Sequence, residues 1–293
     1  MRSDVSILYR GPLSSCNYDC SYCPFAKRHE NAQELQTDRE ALERFVDWVA
    51  NYSDGQLSLF FTPWGEALTR RWYQTAVQQL SEISHVQKIA AQTNLSWSAD
   101  WLDDCDESKI GLWCTYHPTQ VERDAFLIRA NELRQRSISH SVGMVAIPDD
   151  YDEIQTMRSL LHPTTYMWLN AFDVGDGRKY DYSSTEMEFL TRIDPQFATN
   201  TIDHPSLGQS CDAGSDVFSI NGDGDVQRCH FVKEQLGNIY SADWQFPTEH
   251  RTCPKQTCTC HIGYVHMPGL QQNQIYGLGI LERTTVSPQA TAK

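Results

Sequence analysis

No stretch of the 293-residue sequence approaches the roughly eighteen consecutive apolar residues of a membrane span, so a membrane is not an expected partner. Positive charge is also scarce, with 24 Lys and Arg against 38 Asp and Glu and a net charge of −14. That balance repels a nucleic acid backbone, so nucleic acid is not an expected partner either. The first residues lead to no small-residue cleavage site of a secretion signal, which predicts a cytoplasmic protein.

Cysteine, in contrast, is plentiful, with ten residues that fall mostly in short clusters. Cytoplasmic thiols are kept reduced by glutathione and thioredoxin, so these clusters favour a metal or catalytic site over a disulfide framework. The composition is that of a globular protein, with 40% hydrophobic and 21% charged residues.

Alternating strand and helix patterns over about residues 5–170 predict a parallel sheet with crossover helices. Strands are predicted at 5–9, 57–61, 88–92, 110–116, 139–147 and 166–171, and helices near 70–83, 120–136 and 152–161. A further helix is predicted to open with Thr37 and Glu40 as a capping box. Six strand-helix units favour an open, incomplete barrel.

The pattern changes after about residue 200, where Gly, Asp, Cys and Pro become frequent and helical periodicity is lost. Asn221-Gly222 between two β-type runs predicts a hairpin. We therefore expect a second, smaller domain, followed from about residue 284 by a tail with little to bury.

The first cysteine loop, residues 16–23, carries Cys16, Cys20 and Cys23 soon after the first predicted strand. Three thiolates at this spacing can bind one four-iron cube and leave the fourth iron without a protein ligand. A structural zinc ion needs four ligands, and the nearest fourth candidate here is His29. The loop therefore favours an open iron–sulfur cluster, with zinc as the alternative.

This spacing after a first strand, with the aromatic Tyr22 before the third cysteine, resembles the radical S-adenosylmethionine (SAM) superfamily. The resemblance implies an α/β fold, a partial (βα)6 TIM-type barrel, and a [4Fe-4S] cluster whose open iron binds SAM. It also implies that Tyr22 packs near the adenine. In that family the cluster donates one electron to SAM and yields a 5′-deoxyadenosyl radical that abstracts hydrogen from a substrate.

The same resemblance suggests roles at the ends of later strands. Gly65 and Glu66 match part of the Gly-Gly-Glu-Pro segment that holds the SAM amino group, although Trp64 and Ala67 depart from it. Asn94 matches a pocket-lining position, and it could equally be a turn residue.

The remaining barrel candidates are His117, Val145, Asn170 and Asp173. His117 could bind the SAM carboxylate or act as an acid or base, and Val145 is the candidate adenine contact. Asn170 and Asp173 could reach the ribose or the substrate, and Asp173 with His117 forms the predicted catalytic pair. Structural roles remain open for all four.

The second cysteine group comprises Cys211, Cys229, Cys253, Cys258 and Cys260, with Gly224 five residues before Cys229. This layout resembles the twitch and SPASM domains, which implies an auxiliary [4Fe-4S] cluster. Five cysteines favour the shorter twitch form, with Cys258 and Cys260 preferred over Cys253 as the last ligands. A four-cysteine zinc site is the alternative. Cys105 and Cys114 are expected to be ordinary buried thiols.

The resulting prediction is a barrel over 1–205, a small Cys-rich α+β domain with a β-hairpin over 206–270, and a tail over 271–293. We expect an enzyme that cleaves SAM and abstracts hydrogen from a peptide or small metabolite, giving oxidation or a crosslink. Its expected partners are that substrate and an electron donor such as flavodoxin or ferredoxin. The alternative is a non-catalytic iron–sulfur or zinc-stabilised electron-transfer or binding protein.

Overall fold

The computed structural model describes residues 4–25 and 28–286, and its centre is a sheet in which six parallel strands follow one another in chain order. All six predicted strands are confirmed. They are β1 (Asp4–Arg10), β2 (Gln56–Phe61), β3 (Val86–Thr93), β4 (Ile110–Thr115), β5 (Ser139–Ala146) and β6 (Met167–Ala171).

Helices α1 (Ala32–Asn51), α2 (Arg71–Ser81), α3 (Arg123–Gln135) and α4 (Tyr151–Leu160) cross from one strand to the next, and 3₁₀ turns replace a helix between β3 and β4. Two helices, α5 (Ser184–Ile193) and α6 (Phe197–Asn200), follow β6. The predicted partial (βα)6 barrel is confirmed as a fold class.

The predicted start of α1 at Thr37 is wrong. Asn31 caps the helix, because its side-chain oxygen accepts from the backbone N–H groups of Gln33 and Glu34, while the Glu34 carboxylate accepts from Asn31 N. Thr37 lies inside the helix, where its hydroxyl donates to the Gln33 carbonyl. An Asn-x-x-Glu box earlier in the chain competes successfully with the Thr-x-x-Glu box, since a helix extends to the first effective cap.

The predicted hairpin extends the barrel sheet. Strands β9 (Val217–Asn221) and β10 (Asp225–Cys229) form it, β11 (Val232–Asn238) continues it, and β9 pairs in parallel with β1. One sheet therefore runs through both halves of the chain in the order β11-β10-β9-β1-β2-β3-β4-β5-β6. The proposed boundary between residues 205 and 206 stays a prediction.

Short strand pairs hold the cysteine-rich segment. Strand β8 (Ser210–Cys211) pairs with β12 (Arg251–Thr252), and β7 (His204–Pro205) pairs with β13 (Thr257–Cys258). The chain continues through α7 (His261–Tyr264) and α8 (Gln272–Tyr276). In the described residues, no helix is both long and apolar enough to span a bilayer.

The end of the described chain packs inside the barrel. Trp113 and Trp168, on the inner face of β4 and β6, enclose the guanidinium of Arg283 at 5.0 and 4.7 Å from their ring centroids. Glu282 is buried and pairs with Lys88 of β3 at 2.7 Å. Glu282 and Arg283, both packed, lie inside the tail that the sequence predicts over 271–293, and positions 287–293 lie outside the described residues.

Candidate active site

The first cysteine loop leaves β1 at the carboxyl-terminal edge of the parallel strands, where barrel active sites are built. Its turn is closed by a bond from Cys23 N to the Cys20 carbonyl, and Tyr18 N donates to the Cys16 sulfur. Cys20 is buried, while Cys16 and Cys23 are half-buried. One short loop thus presents three thiols at the mouth of the barrel.

A half-buried carboxylate fixes the entry to this loop. Glu30 accepts from Ser15 N at 2.8 Å and from the Ser14 hydroxyl at 2.7 Å, and it also accepts from Ser14 N. Burial raises the pKa of Glu30, but the hydrogen bonds from Ser15 and Ser14 outweigh it and lower the pKa to about 2. No sequence signal marks this role, because a Glu in a polar stretch has no distinctive pattern.

The end of β4 holds the other side of the loop. The phenol oxygen of Tyr22 and Nδ1 of His117 are 2.7 Å apart, and Tyr18 packs edge-on against the same imidazole. Asp19 N donates to the Gln120 side chain at 2.9 Å. Burial lowers the pKa of His117 to about 4, so its ring is neutral at pH 7. Its Nδ1 can therefore accept a hydrogen bond from the Tyr22 hydroxyl.

The Trp64-Gly65-Glu66 turn packs directly on the cysteine loop. Glu66 N donates to the Ser15 carbonyl at 3.1 Å, and a side chain on Gly65 would meet that carbonyl oxygen at 1.8 Å. Glycine is therefore required at this close backbone approach.

Glu66 links β2 to β3 beneath the loop. Its carboxylate accepts from the Thr93 hydroxyl at 2.8 Å, from Asn94 N at 2.6 Å and from Leu68 N. Burial raises the pKa of Glu66 to about 7, although the bonds from Asn94, Thr93 and Leu68 oppose that rise. The Asn94 amide in turn lies 3.7 Å from the Cys16 sulfur. Glu66 and Asn94 are thus both adjacent to the first cysteine loop.

The three later candidates lie on the far side of the barrel mouth. Val145 and Asn170 are register partners on β5 and β6, and both are half-buried. The Asn170 side-chain oxygen accepts hydrogen bonds from Asn200 at 3.3 Å and from Arg283 at 3.1 Å. Two donors of the protein therefore already bind this oxygen. Asp173 is exposed, and its carboxylate accepts from Gly175 N. Asp173 shares a cavity of about 630 Å³ with Tyr22 of the cysteine loop.

In the second group, Cys211, Cys229 and Cys258 pack together with Tyr264 and Met267. Burial raises the pKa of Cys211 to about 11 and that of Cys258 to about 12, and neighbouring thiols, Cys253 among them, add to both increases. Cys253 is placed by backbone bonds to Gln209 and Gly208, next to the strand that carries Cys211. These four thiols form the second cysteine centre.

Cys260 is near Cys258, whose pKa it helps to raise, but its side chain packs elsewhere. It lies against the cluster on the inner face of the barrel, which includes Trp113 and Val265. Burial raises its pKa, and the cations Arg10 and Arg283 act against that rise. Of the cysteines outside both groups, Cys114 is buried as expected and Cys105 is half-buried.

None of the ten cysteines, all of which are described, forms a disulfide. Among residues 4–25 and 28–286, one set of three His, Cys, Asp or Glu ligand atoms lies within 4.8 Å of one another, and it is Asp212, Asp216 and His250. Any three cysteine sulfurs of either group are therefore more widely spread. A zinc ion holds its thiolates about 3.8 Å apart, given Zn–S bonds of about 2.3 Å in a tetrahedron. A cube spreads them farther, because each thiolate binds a different iron.

No protein-family model and no curated protein matches the sequence. Solved structures do match. The anaerobic sulfatase-maturating enzyme anSMEcpe with bound AdoMet and Cp18Cys peptide gives a TM-score of 0.52 at 16% identity, over 80% of this chain and 77% of that chain. Streptococcus suis SuiB bound to S-adenosylmethionine gives 0.56 at 13% identity, over 82% of this chain and 64% of SuiB.

SuiB bound to its precursor peptide SuiA matches similarly, with a TM-score of 0.55 at 13% identity over 82% of this chain and 63% of that chain. The chain spans less than two thirds of SuiB. Both proteins are radical SAM enzymes with SPASM or twitch-type domains. At these identities the comparisons establish the fold, which is the one that the sequence resemblance implied.

Proposed function

We propose that the chain is a radical SAM enzyme that cleaves S-adenosylmethionine reductively and abstracts hydrogen from a peptide or small metabolite, with oxidation or crosslinking as the outcome. The observation that carries this proposal is the first cysteine loop at the carboxyl edge of a barrel whose solved neighbours bind SAM. When bound there, a four-iron cluster with one free iron supplies the electron that splits SAM.

The residues around the loop fit such a group. Cys16, Cys20 and Cys23 are the proposed ligands, and the Asn94 amide beside the Cys16 sulfur can donate to a ligating thiolate. Glu66 lies within the same network and, when ionised, can accept the SAM ammonium. Tyr22 and Ile147 line the cavity that we assign to the adenine. Val145 does not line it and stays the sequence-based candidate for the adenine contact.

The position of His117 favours a positioning role. Its Nδ1 is engaged by Tyr22, so His117 orients the aromatic residue of the loop and keeps the third thiol in place. Asp173 is the remaining proposed acid or base, because it is exposed at the same cavity. Asn170 supports the barrel wall through Arg283 and Asn200.

For an auxiliary cluster we propose the second cysteine centre, Cys211, Cys229, Cys253 and Cys258. The shared packing of three of these thiols and the placement of Cys253 beside Cys211 support this set. It replaces our sequence-based preference for Cys260, which faces the barrel interior. The thiols of Cys211 and Cys258, whose pKa values are raised, ionise when a metal binds, which couples cluster loading to proton release.

Peptide and small-metabolite substrates both remain within the proposal. SuiB and anSMEcpe were solved with peptides, which supports a peptide substrate for this chain. An external one-electron donor of the flavodoxin or ferredoxin type and a reducing cytoplasm complete the proposal.

Anaerobic reconstitution of the protein with iron and sulfide tests the proposed cleavage of SAM. The iron-loaded protein, given SAM and dithionite, should release 5′-deoxyadenosine and methionine. A Cys20→Ala variant should lose that activity, while a Cys105→Ala variant, outside both groups, should keep it. If the wild-type protein leaves SAM intact, the proposed SAM cleavage is wrong, and the electron-transfer or zinc-stabilised binding protein becomes the favoured alternative.

A further inference from the structure

A second cavity opens beside the first cysteine loop, on the hairpin side of the barrel. It has a volume of about 610 Å³ and lies where β1 and β9 end. Its walls include Ser14 of the loop entry and, from the strands and turns around it, Arg10, Trp64, Ser219, Asn221 and His230. The space is thus adjacent to the proposed radical site and separate from the cavity at Tyr22.

Arg10 is held rigidly in this cavity. Its Nε donates to the Thr62 carbonyl at 2.8 Å, and Nη2 donates to the Thr62 hydroxyl at 3.1 Å. The guanidinium stacks on the Trp64 ring at 4.1 Å, and Trp64 packs in turn against Phe25. Much of the side-chain entropy of Arg10 is therefore already lost before any ligand binds.

The charge of Arg10 is not balanced by an acid. Burial lowers its pKa to about 10, and Cys260 is the neighbour that acts to raise it. In the part of the chain that the structure describes, no carboxylate forms an ion pair with Arg10. Arg10 stays charged at pH 7, and a half-buried cation without a counterion is costly unless a ligand supplies one.

The other polar groups suit an anion as well. The Ser219 hydroxyl bonds to the His230 ring, and both side chains line the cavity as polar groups. The carboxylate in the cavity wall, Asp223, is exposed at the hairpin turn.

Trp64 gives this chain a feature that its resemblance does not explain. It stands where the family that the sequence resembles carries the first glycine of the SAM-binding segment, and the Arg10 guanidinium stacks on its ring. The protein as a whole carries a net charge of −14, which disfavours anions at long range. A cation that is fixed at one point of this acidic surface can still bind an anion there.

We propose that Arg10 binds an oxyanion of the substrate, a carboxylate or a phosphate, and so positions that substrate beside the first cysteine loop. A guanidinium fixed along one edge still presents Nη donors in the fork geometry that oxyanions match. This inference rests on the proposed function for its statement that the bound molecule is the substrate. The anion site itself can be tested separately.

The test measures how fast phenylglyoxal modifies individual arginines in the anaerobic, iron-loaded protein, with peptides resolved by mass spectrometry. Saturating SAM is present while either inorganic phosphate or acetate is compared with chloride at equal ionic strength. A further chloride sample without SAM shows the effect of SAM alone. We expect an anion at about four times its Kd to slow Arg10 modification about fivefold. Arg44 is the matched control, since it also stacks on an aromatic ring, Tyr240, and donates to a backbone carbonyl.

The anion that protects Arg10 at the lower concentration distinguishes a phosphate from a carboxylate substrate. Unchanged modification in both anions overturns the proposal. So does full protection of Arg10 by SAM alone, since that would assign Arg10 to the cofactor carboxylate. Release of 5′-deoxyadenosine is measured in the same samples, so a protein that binds the anion without cleaving SAM contradicts only the proposed function.

Discussion

The phenol oxygen of Tyr22 lies 2.7 Å from Nδ1 of His117, and this contact joins the first cysteine loop to the end of β4. The two residues are separated by 95 positions in the chain. Because burial lowers the pKa of His117 to about 4, the imidazole is a neutral acceptor over the physiological range. A residue that the sequence suggested for catalysis thus orients the loop.

Replacing Tyr22 with Phe should loosen the loop and keep its fold. The ring that packs near the proposed adenine site remains, while one hydrogen bond worth about 0.5–1.5 kcal/mol is lost. Hydrogen exchange of the loop amides should accelerate in Tyr22→Phe and in His117→Ala, and the double variant should show little further change. Additive effects in the double variant would contradict direct coupling.

The same contact predicts sensitivity to acid. His117 has a folded-state pKa of about 4, below its usual value of 6.5, so the stability it contributes is present above pH 6.5 and is lost as pH falls through about 4. Protection factors of the loop amides, which remove the intrinsic pH dependence of exchange, should fall more steeply from pH 7 to pH 4 in the wild-type protein than in His117→Ala.

Glu66 should couple SAM binding to proton release. Its pKa is raised to about 7, so the folded protein holds a proton there that the SAM ammonium would displace. SAM affinity should therefore increase from pH 6 to about pH 7 and then level off. Glu66→Gln should bind SAM more weakly and without this pH dependence.

Calorimetry in two buffers of different ionisation enthalpy measures directly the proton that SAM binding releases.

Folding stability should depend on pH in the opposite direction to SAM affinity. Because the folded-state pKa of Glu66 is raised to about 7, the stability that Glu66 contributes is largest at low pH and is lost as pH rises through about 7. A pH-dependent stability with a pH-independent SAM affinity would show that Glu66 has a structural role only.

Serine variants distinguish the second cysteine centre from Cys260. The wild-type protein should hold about eight irons per chain, and Cys253→Ser should lower this to about four by removing one cube. Cys260→Ser should keep the full complement, because Cys260 packs toward the barrel interior. The reverse result would restore the ligand set that the sequence favoured.

The contrast between Cys20 and Arg283 shows what the sequence could and could not predict. Cys20 belongs to a pattern contained in eight residues, and the six strands are continuous apolar runs, so local information was sufficient for both. Arg283 donates to Asn170 across 113 positions and lies between two tryptophans of distant strands. No local periodicity marks such a residue, and the sequence analysis placed it inside a tail over 271–293.

Arg283 should accordingly be important for stability. Its buried guanidinium donates to the Asn170 oxygen and stacks on Trp113 and Trp168, and it also opposes the rise that burial causes in the pKa of Asp194. Losing a hydrogen bond from a charged donor costs about 1.5–3 kcal/mol, so Arg283→Met should lower the free energy of unfolding by at least that order. Anaerobic urea unfolding followed by circular dichroism measures it, with the exposed Arg71→Met as the control.

Gly65 offers the sharpest test of how the loop and the barrel fit together. A methyl group there would lie 1.8 Å from the Ser15 carbonyl oxygen, an overlap that only a backbone shift of the cysteine loop can relieve. Gly65→Ala should therefore reduce iron bound by the first loop and SAM cleavage, with the second cysteine centre still loaded. Gly269→Ala is the matched control, since a methyl group there meets nothing within 4 Å. If Gly65→Ala bound its full iron and cleaved SAM at the wild-type rate, the loop would have to sit farther from the β2 turn than the structure places it.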